Sequence, residues 1–146
     1  MIAVDTNVLV TAHREDLPKH RFALERLSEL ASGDAPWAIP AFCLGEFVRV
    51  VTHPRLFDPP SKLDEAIAAI EGLLESPTLR ILSPGIRYPK LFAEALRQAD
   101  ARGNLAFDAQ IAAVCREQGA GSLLTMDRDF ARFRGLHLLD LERGLS

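Results

Sequence analysis

Short apolar runs alternate along the chain with longer amphipathic stretches, and this alternation limits the fold more than any other feature. The amphipathic stretches predict six helices, at roughly 6–13, 18–32, 41–52, 61–75, 87–101 and 105–118. Strands that alternate with helices indicate an α/β fold with a parallel sheet, flanked by helices on both faces. The apolar runs predict strands at Ile2–Val4, Trp37–Ile39, Leu79–Leu82, Ser122–Leu124 and His137–Leu139.

The length and the turn residues agree with a single domain. Prolines at positions 18, 40, 59, 60 and 84 fall at the breaks between elements, and the chain of 146 residues is of ordinary size for one domain. No segment approaches the ~20 consecutive apolar residues that a membrane span requires. The first residues, Met1 to Asp5, lead directly into a strand and do not resemble a secretory signal. We expect one domain over 1–146, cytoplasmic and without a membrane segment.

The cysteines and histidines do not suggest a zinc site or a disulfide. Cys43 and Cys115 each lie among apolar residues in a helical pattern, which favours reduced core residues. The four histidines are not paired at a spacing typical of metal ligands. Chemistry in this chain therefore has to come from other side chains.

Two aspartates directly follow predicted strands. Asp5 ends the first strand and Asp127 comes shortly after the fourth. In parallel α/β sheets, sites form at the carboxyl ends of the strands, and a central first strand would place Asp5 in such a site. Each residue also has a simpler interpretation, since Asp5 could cap the next helix and Asp127 could be an ordinary turn residue.

Two further acids fall on the inward faces of predicted helices. Glu46 lies between Phe42 and Val50 in i, i+4 spacing, so it borders an apolar face. Asp108 shares its face with the apolar positions three, four and seven residues later, where a carboxylate is unusual. A glutamate paired with arginine, and an acid in the first turn of a helix, remain alternative interpretations.

Together these four carboxylates predict a divalent-cation site. Such a cluster would be strongly self-repelling without a cation, and ligands that are all oxygen favour Mg²⁺, with Mn²⁺ as a substitute. A bound divalent ion can lower the pKa of water and neutralise charge on a phosphodiester. The chain shows no nucleophilic serine motif and no glycine-rich phosphate loop, so water is the expected nucleophile.

The ordered set of acidic motifs resembles that of the PIN-domain nucleases, and most closely the VapC-type toxins of bacterial toxin–antitoxin pairs. The resemblance extends from residue 2 to about 133, which marks the expected catalytic core. It rests on Asp5-Thr6-Asn7, Glu46, Asp108 with Ala109, Ile111, Ala112 and Ala113 after it, and Thr125, Asp127, Asp129 and Phe130.

The resemblance implies a five-stranded parallel sheet and a magnesium-dependent endoribonuclease. Asp5 and Asp108 would be direct metal ligands, Glu46 would act through a water of the metal, and Asp127 would complete the pocket, with a second metal as one possibility. Thr125 would donate a hydrogen bond within this group, Asn7 would support Asp5, and Asp129 would have a mainly structural role.

The same resemblance implies partners. It indicates a homodimer and a cognate antitoxin protein that inhibits the enzyme, in a heterotetramer or a larger assembly. The expected inhibitory device is an arginine placed among the four acids, combined with coverage of apolar surface on the helices at 6–32 and 41–52. The RNA itself is not identified by the sequence.

An acidic pocket needs a basic rim to bind RNA. The net charge of −3 does not argue against RNA, because net charge does not report where charges lie. Phosphate contacts by lysine and arginine supply most of the affinity of nucleic-acid binding. The candidate RNA-binding residues near the site are Arg49, Arg128, Arg132 and Arg134.

Three other classes of protein could carry an acidic residue after the first strand. A haloacid-dehalogenase-type phosphohydrolase would need a second aspartate where Asn7 stands. A receiver-type signalling module would need a lysine near the last strand, which this chain lacks. A catalytically idle PIN-like module for RNA binding or assembly would not need all four acids. The intact acid set favours an active nuclease.

Overall fold

The computed structural model describes residues 1–146 and contains five strands, six α-helices and a short 3₁₀ helix. All five predicted strands and all six predicted helices are present. The strands are β1 (Ile2–Val4), β2 (Trp37–Pro40), β3 (Leu79–Leu82), β4 (Ser122–Leu124) and β5 (His137–Leu139). The helices are α1 (Thr6–His13), α2 (His20–Ser32), α3 (Ala41–Val51), α4 (Leu63–Leu74), α5 (Tyr88–Ala99) and α6 (Leu105–Gln118).

The five strands form one parallel sheet in the order β3-β2-β1-β4-β5. β1 is therefore the central strand, and Ala3 pairs with Ala38 on one side and with Leu123 on the other. The parallel arrangement brings the carboxyl ends of β1, β2 and β4 to the same edge. This confirms the predicted fold and places Asp5 at the middle of that edge.

Helices cover both faces of the sheet. Trp37, Ala38 and Ile39 are consecutive in β2 and are each at most 1% exposed. Because neighbouring residues of a strand point to opposite faces, this unbroken burial requires packing on both sides. Cys43 and Cys115 are free and buried in this core, as predicted.

The 3₁₀ helix, Arg128–Arg132, was not predicted from the sequence. Five residues are too few for an apolar period to be recognised. The turn is fixed by the Asp127 carboxylate, which accepts a hydrogen bond from the Asp129 backbone N–H at 2.9 Å. Buried Phe130 then anchors the turn to the core. None of the helices has the length and apolar character needed to cross a bilayer.

Candidate active site

The carboxyl edge of the sheet contains a hollow of about 790 Å³ between the first turns of α1 and α6, the middle of α3 and the 3₁₀ turn. Three of the four predicted acids line it directly, and Asp5 lies beside it, next to the lining residue Thr6. The lining residues are Thr6, Phe42, Gly45, Glu46, Arg49, Asn104, Leu105, Phe107, Asp108, Gln110, Ile111, Asp127 and Asp129.

Asp5 is held by hydrogen bonds to both of its carboxylate oxygens. Its Oδ1 accepts from the Thr6 backbone N–H at 2.7 Å, so Asp5 does cap α1. Its Oδ2 accepts from the Thr125 hydroxyl, also at 2.7 Å. The capping role and a role in the site are therefore compatible, because the cap fixes the carboxylate at the strand end.

Thr125 connects the residues around Asp5. Its Oγ1 donates to Asp5 and accepts from the Asn7 side-chain amide at 3.3 Å and from the Asp127 backbone N–H at 3.0 Å. The Asn7 carbonyl oxygen in turn accepts from the Met126 backbone N–H at 3.2 Å. Asn7 thus supports Asp5 through Thr125, not by direct contact.

Burial is the main reason why the pKa of Asp5 rises to about 6. The hydrogen bonds from Thr125 and Thr6 lower this pKa, while the charges of Glu46 and Asp127 raise it further. Asp5 is only 5% exposed, and no cationic side chain offsets its charge. Such a carboxylate favours either a proton or a cation.

Asp108 shows the same pattern more strongly. Burial is again the largest cause, and the charges of Asp127, Asp5, Asp129 and Glu46 add to it, raising the pKa of Asp108 to about 7. Its helical neighbours Ala112 and Cys115 are buried, as the sequence pattern predicted. The acids predicted separately from the sequence therefore form one interacting cluster.

Asp127 and Asp129 both line the hollow. Both raise the pKa of Asp108, and Asp127 has the larger effect. Asp129 therefore lies within the acidic cluster, and its backbone also completes the turn at Asp127.

The four predicted RNA-binding arginines are not all placed at the hollow. Arg49 lines it, and Arg128 lines an adjoining hollow of about 400 Å³ that shares Asp127. Arg132 is exposed at the end of the 3₁₀ helix. Arg134 lies instead with Gly119, Ala120 and Gly121, which precede β4 at the opposite edge of the sheet. Arg134 is thus remote from the acids, because the chain crosses to that edge before β5.

Several lining residues were not singled out from the sequence. The Thr6 hydroxyl is buried and has no hydrogen-bond partner, although it lies next to Asp5. Phe107 is 58% exposed in the hollow, immediately before Asp108. The helical periodicity of α6 places Phe107 outside its buried stripe. The unpaired state of Thr6 left no signal in the sequence.

The donor set of the hollow fits a hard divalent cation. Its oxygen donors are carboxylate, hydroxyl and amide groups, with no lining histidine or cysteine, and no cation is among the charges that shift the pKa of Asp5 or Asp108. No three histidine, cysteine, aspartate or glutamate side chains converge as a ready-made ligand group. Mg²⁺ commonly takes one or two carboxylates and keeps several waters, so it does not require such convergence.

The chain is similar to known proteins over nearly its whole length. The PIN domain family matches residues 2–136. Ribonuclease VapC43 from Mycobacterium tuberculosis is 42% identical over 143 residues, covering 96% of this chain and 97% of that protein. Ribonuclease VapC25 from the same organism is 36% identical over 133 residues, covering 91% of this chain and 93% of that protein.

The fold recurs in a solved toxin–antitoxin complex. The crystal structure of VapBC2 from Rickettsia felis, bound to a promoter DNA fragment, superposes with a TM-score of 0.70 at 22% identity. The match covers 96% of this chain and 98% of that one. The chain is therefore a PIN-domain protein. Within that class it belongs to the VapC ribonuclease family, which excludes the haloacid-dehalogenase and receiver alternatives.

Without divalent cations, the acidic cluster is expected to weaken the folded state as pH rises. Folding raises the pKa of Asp5 to about 6 and the pKa of Asp108 to about 7. The stabilisation that the fold gains from protonated Asp5 and Asp108 is therefore complete below about pH 4. It is lost as pH rises through about 6 and about 7, where the two carboxyl groups ionise. Asp108→Asn should raise the free energy of unfolding by about 1 kcal/mol at pH 8 and change it little at pH 4.

Urea denaturation in EDTA at both pH values measures this difference. Variants are compared at each pH because burial and Arg14 lower the pKa of His13, which gives the opposite pH slope. Asp34→Asn, at an exposed loop position outside the hollow, is the matched control. Equal gains in Asp34→Asn and Asp108→Asn at pH 8 would contradict the electrostatic explanation.

Proposed function

We propose that this chain is a magnesium-dependent endoribonuclease toxin that is inhibited by a cognate antitoxin, with Mn²⁺ as a substitute ion. The observation that carries the proposal is the acidic cluster on the carboxyl edge of the sheet. In it, Asp5 and Asp108 have a pKa of about 6 and about 7 without any cationic partner. Membership of the VapC ribonuclease family supports RNA as the substrate.

In this proposal Asp5 and Asp108 hold the metal directly, and Asp127 completes the site. The Thr6 N–H and the Thr125 hydroxyl fix the Asp5 carboxylate before any ligand arrives. Preorganised ligands of this kind avoid a reorganisation penalty during the reaction. A divalent cation, when bound, lowers the pKa of water and neutralises charge on the phosphodiester.

Glu46 has a separate role in the proposal. It is half-buried in the middle of α3, across the hollow from the strand ends, and its charge acts on both Asp5 and Asp108. From there its carboxylate can orient the attacking water and accept its proton. Water attacks phosphorus and gives its proton to Glu46, the bond from phosphorus to the leaving ribose oxygen breaks, and that oxygen takes up a proton from solvent, so one RNA chain becomes two.

Asp5→Asn and Asp108→Asn are each expected to lower RNA cleavage by at least about 100-fold, because each removes a metal-holding carboxylate. Mg²⁺ affinity should fall in the same variants, while their circular dichroism stays that of the wild type. Cleavage of a mixed RNA substrate with Mg²⁺, and again after EDTA, measures the effect. Asp129→Asn is the control within the cluster and should be much milder. Full activity of either main variant would reject the assignment.

The same experiment separates the idle PIN-like module from the nuclease. An idle module would bind RNA without a metal-dependent cleavage product. A nuclease loses its product when Mg²⁺ is removed and regains it when Mg²⁺ returns.

RNA binding should depend on Arg49. Arg49 lies one helical turn after Glu46 and lines the same hollow, so its guanidinium is available to a phosphate beside the acids. Arg128 borders the other side of Asp127, together with Lys19 and Arg143. These positions form a basic rim around an acidic centre.

Arg49→Ala is expected to weaken RNA binding and to reduce the salt dependence of the dissociation constant by about 0.7 in the log–log slope, the value for one lost phosphate contact on single-stranded RNA. Metal affinity should not change. Fluorescence anisotropy of labelled RNA at several salt concentrations measures the slope. Arg134→Ala makes the same substitution at the opposite edge of the sheet and should leave the slope unchanged. Equal slopes for both variants would rule out the rim.

An antitoxin has two surfaces to engage. One is the acidic hollow, where an arginine could pair with two carboxylates and take the place of the metal. The other is an apolar groove of about 510 Å³ formed by α1 to α4. The helices predicted for inhibitor contact, at 6–32 and 41–52, form most of this groove, and α4 contributes further lining residues. Its apolar lining residues include Leu9, Ala12, Leu24, Leu27, Phe47 and Leu73.

Expression of this chain alone should slow bacterial growth, and Asp5→Asn should restore growth, because RNA cleavage is the source of the toxicity. Co-expression of the cognate antitoxin should also restore growth. Optical density after induction and the integrity of total RNA measure the outcome, with Asp34→Asn as a toxic control. Normal growth of its host with soluble, RNA-cleaving wild-type protein and no antitoxin would reject the toxin role while leaving the nuclease intact.

A further inference from the structure

One side of the acidic hollow is lined by residues that metal chemistry does not use. This side carries apolar and amide side chains, and most of them come from the start of α6. Phe107 stands out because 58% of it is exposed, whereas Phe47, Phe130 and Phe133 are at most 1% exposed. Burying the apolar area of a phenylalanine ring stabilises a fold, and this ring forgoes more than half of that gain.

The surroundings of Phe107 leave the ring available. The aromatic pairs nearby join Phe42 with Tyr88 and Tyr88 with Phe92, and Phe107 is in neither pair. Asn104, Phe107 and Gln110 follow each other at intervals of three along α6, and all three line the hollow. Phe107 is also covalently adjacent to Asp108. The ring is therefore presented at the same opening as the carboxylates.

We propose that Phe107 is a stacking platform for an unpaired RNA base next to the scissile phosphate, with the exposed Asn104 beside it as an amide group for the base edge. The proposal rests on the proposed ribonuclease function. A nucleotide presents a phosphate and a flat apolar base side by side, and this hollow presents a cation-binding cluster and a flat apolar ring side by side. Aromatic side chains are the common means by which proteins bind unstacked RNA bases.

This assignment also selects the class of substrate. A base within a duplex is covered on both faces by its neighbours and cannot stack on a side chain. The preferred substrate is therefore single-stranded RNA or an unpaired loop. An antitoxin arginine would pair with the carboxylates and would not need the ring, whereas a nucleotide would use the ring, the cation-binding acids and the phosphate-binding candidate Arg49 together.

RNA binding by a cleavage-deficient protein tests the platform. All variants carry Asp5→Asn, and anisotropy gives the dissociation constant for a labelled single-stranded RNA. Adding Phe107→Ala should weaken binding by about 5- to 100-fold, the range for loss of one stacked base, and Phe107→Trp should retain it. Phe22→Ala is the matched control, because Phe22 is 39% exposed on α2 and does not line the hollow.

Abasic substitution identifies the stacked base. The base is removed at each RNA position in turn, and the parent protein, which keeps Phe107, should lose affinity mainly at one position. Removing that same base should not weaken binding to Phe107→Ala, because the ring on which it stacks is already absent. Equal losses at every position in both proteins would overturn the proposal. In cleavage by the otherwise wild-type chain, Phe107→Ala should raise KM more than it lowers kcat.

The failures of the two proposals are distinguishable. If the wild-type chain cleaves no RNA, the ribonuclease proposal fails. If it cleaves RNA and Phe107→Ala binds within about twofold of its parent, the platform is wrong and the nuclease stands. If Phe107→Ala instead alters the native mass of the protein with RNA affinity unchanged, Phe107 is a protein-interface residue and the platform is likewise overturned.

Discussion

The hydrogen bond from the Thr125 hydroxyl to Asp5 is the interaction on which the site depends. It joins the ends of β1 and β4 through two residues that are 120 positions apart in the sequence. The same hydroxyl accepts from Asn7 and from the Asp127 backbone, so one oxygen holds two chain segments together. The parallel sheet provides the frame, and this bond fixes where the first carboxylate points.

The acidic cluster is a local conflict that the rest of the fold tolerates. Burial raises the pKa of Asp108, and the charges of four neighbouring acids raise it further. A core of 30 buried hydrophobic residues keeps these groups together despite their repulsion. Functional sites are where proteins most often depart from local rules of stability. The uncompensated negative charge of this cluster favours the binding of a cation.

The sequence predicted the sheet well because apolar runs and helical periods are local signals. Asp5 and Asp108 were found because a carboxylate at a strand end or on a packing face contradicts its surroundings. Arg134 was misjudged as a rim residue because nearness in sequence to Asp127 does not give the edge of the sheet on which a side chain lies. The unpaired Thr6 hydroxyl depends on tertiary packing and could not be predicted.

In the proposed function, the hollow divides the recognition of a nucleotide between chemically different groups. Carboxylates would select a cation, which in turn would attract phosphate, and Arg49 would add charge at the rim. These contributions weaken as salt rises, because phosphate binding releases counterions. Stacking on Phe107 would not weaken in the same way, since dispersion and apolar burial do not depend on screening. The acidic centre of the hollow repels RNA phosphates until a cation is bound. A contact that does not depend on charge, such as the exposed ring of Phe107 beside the acids, therefore adds affinity that the carboxylates cannot supply.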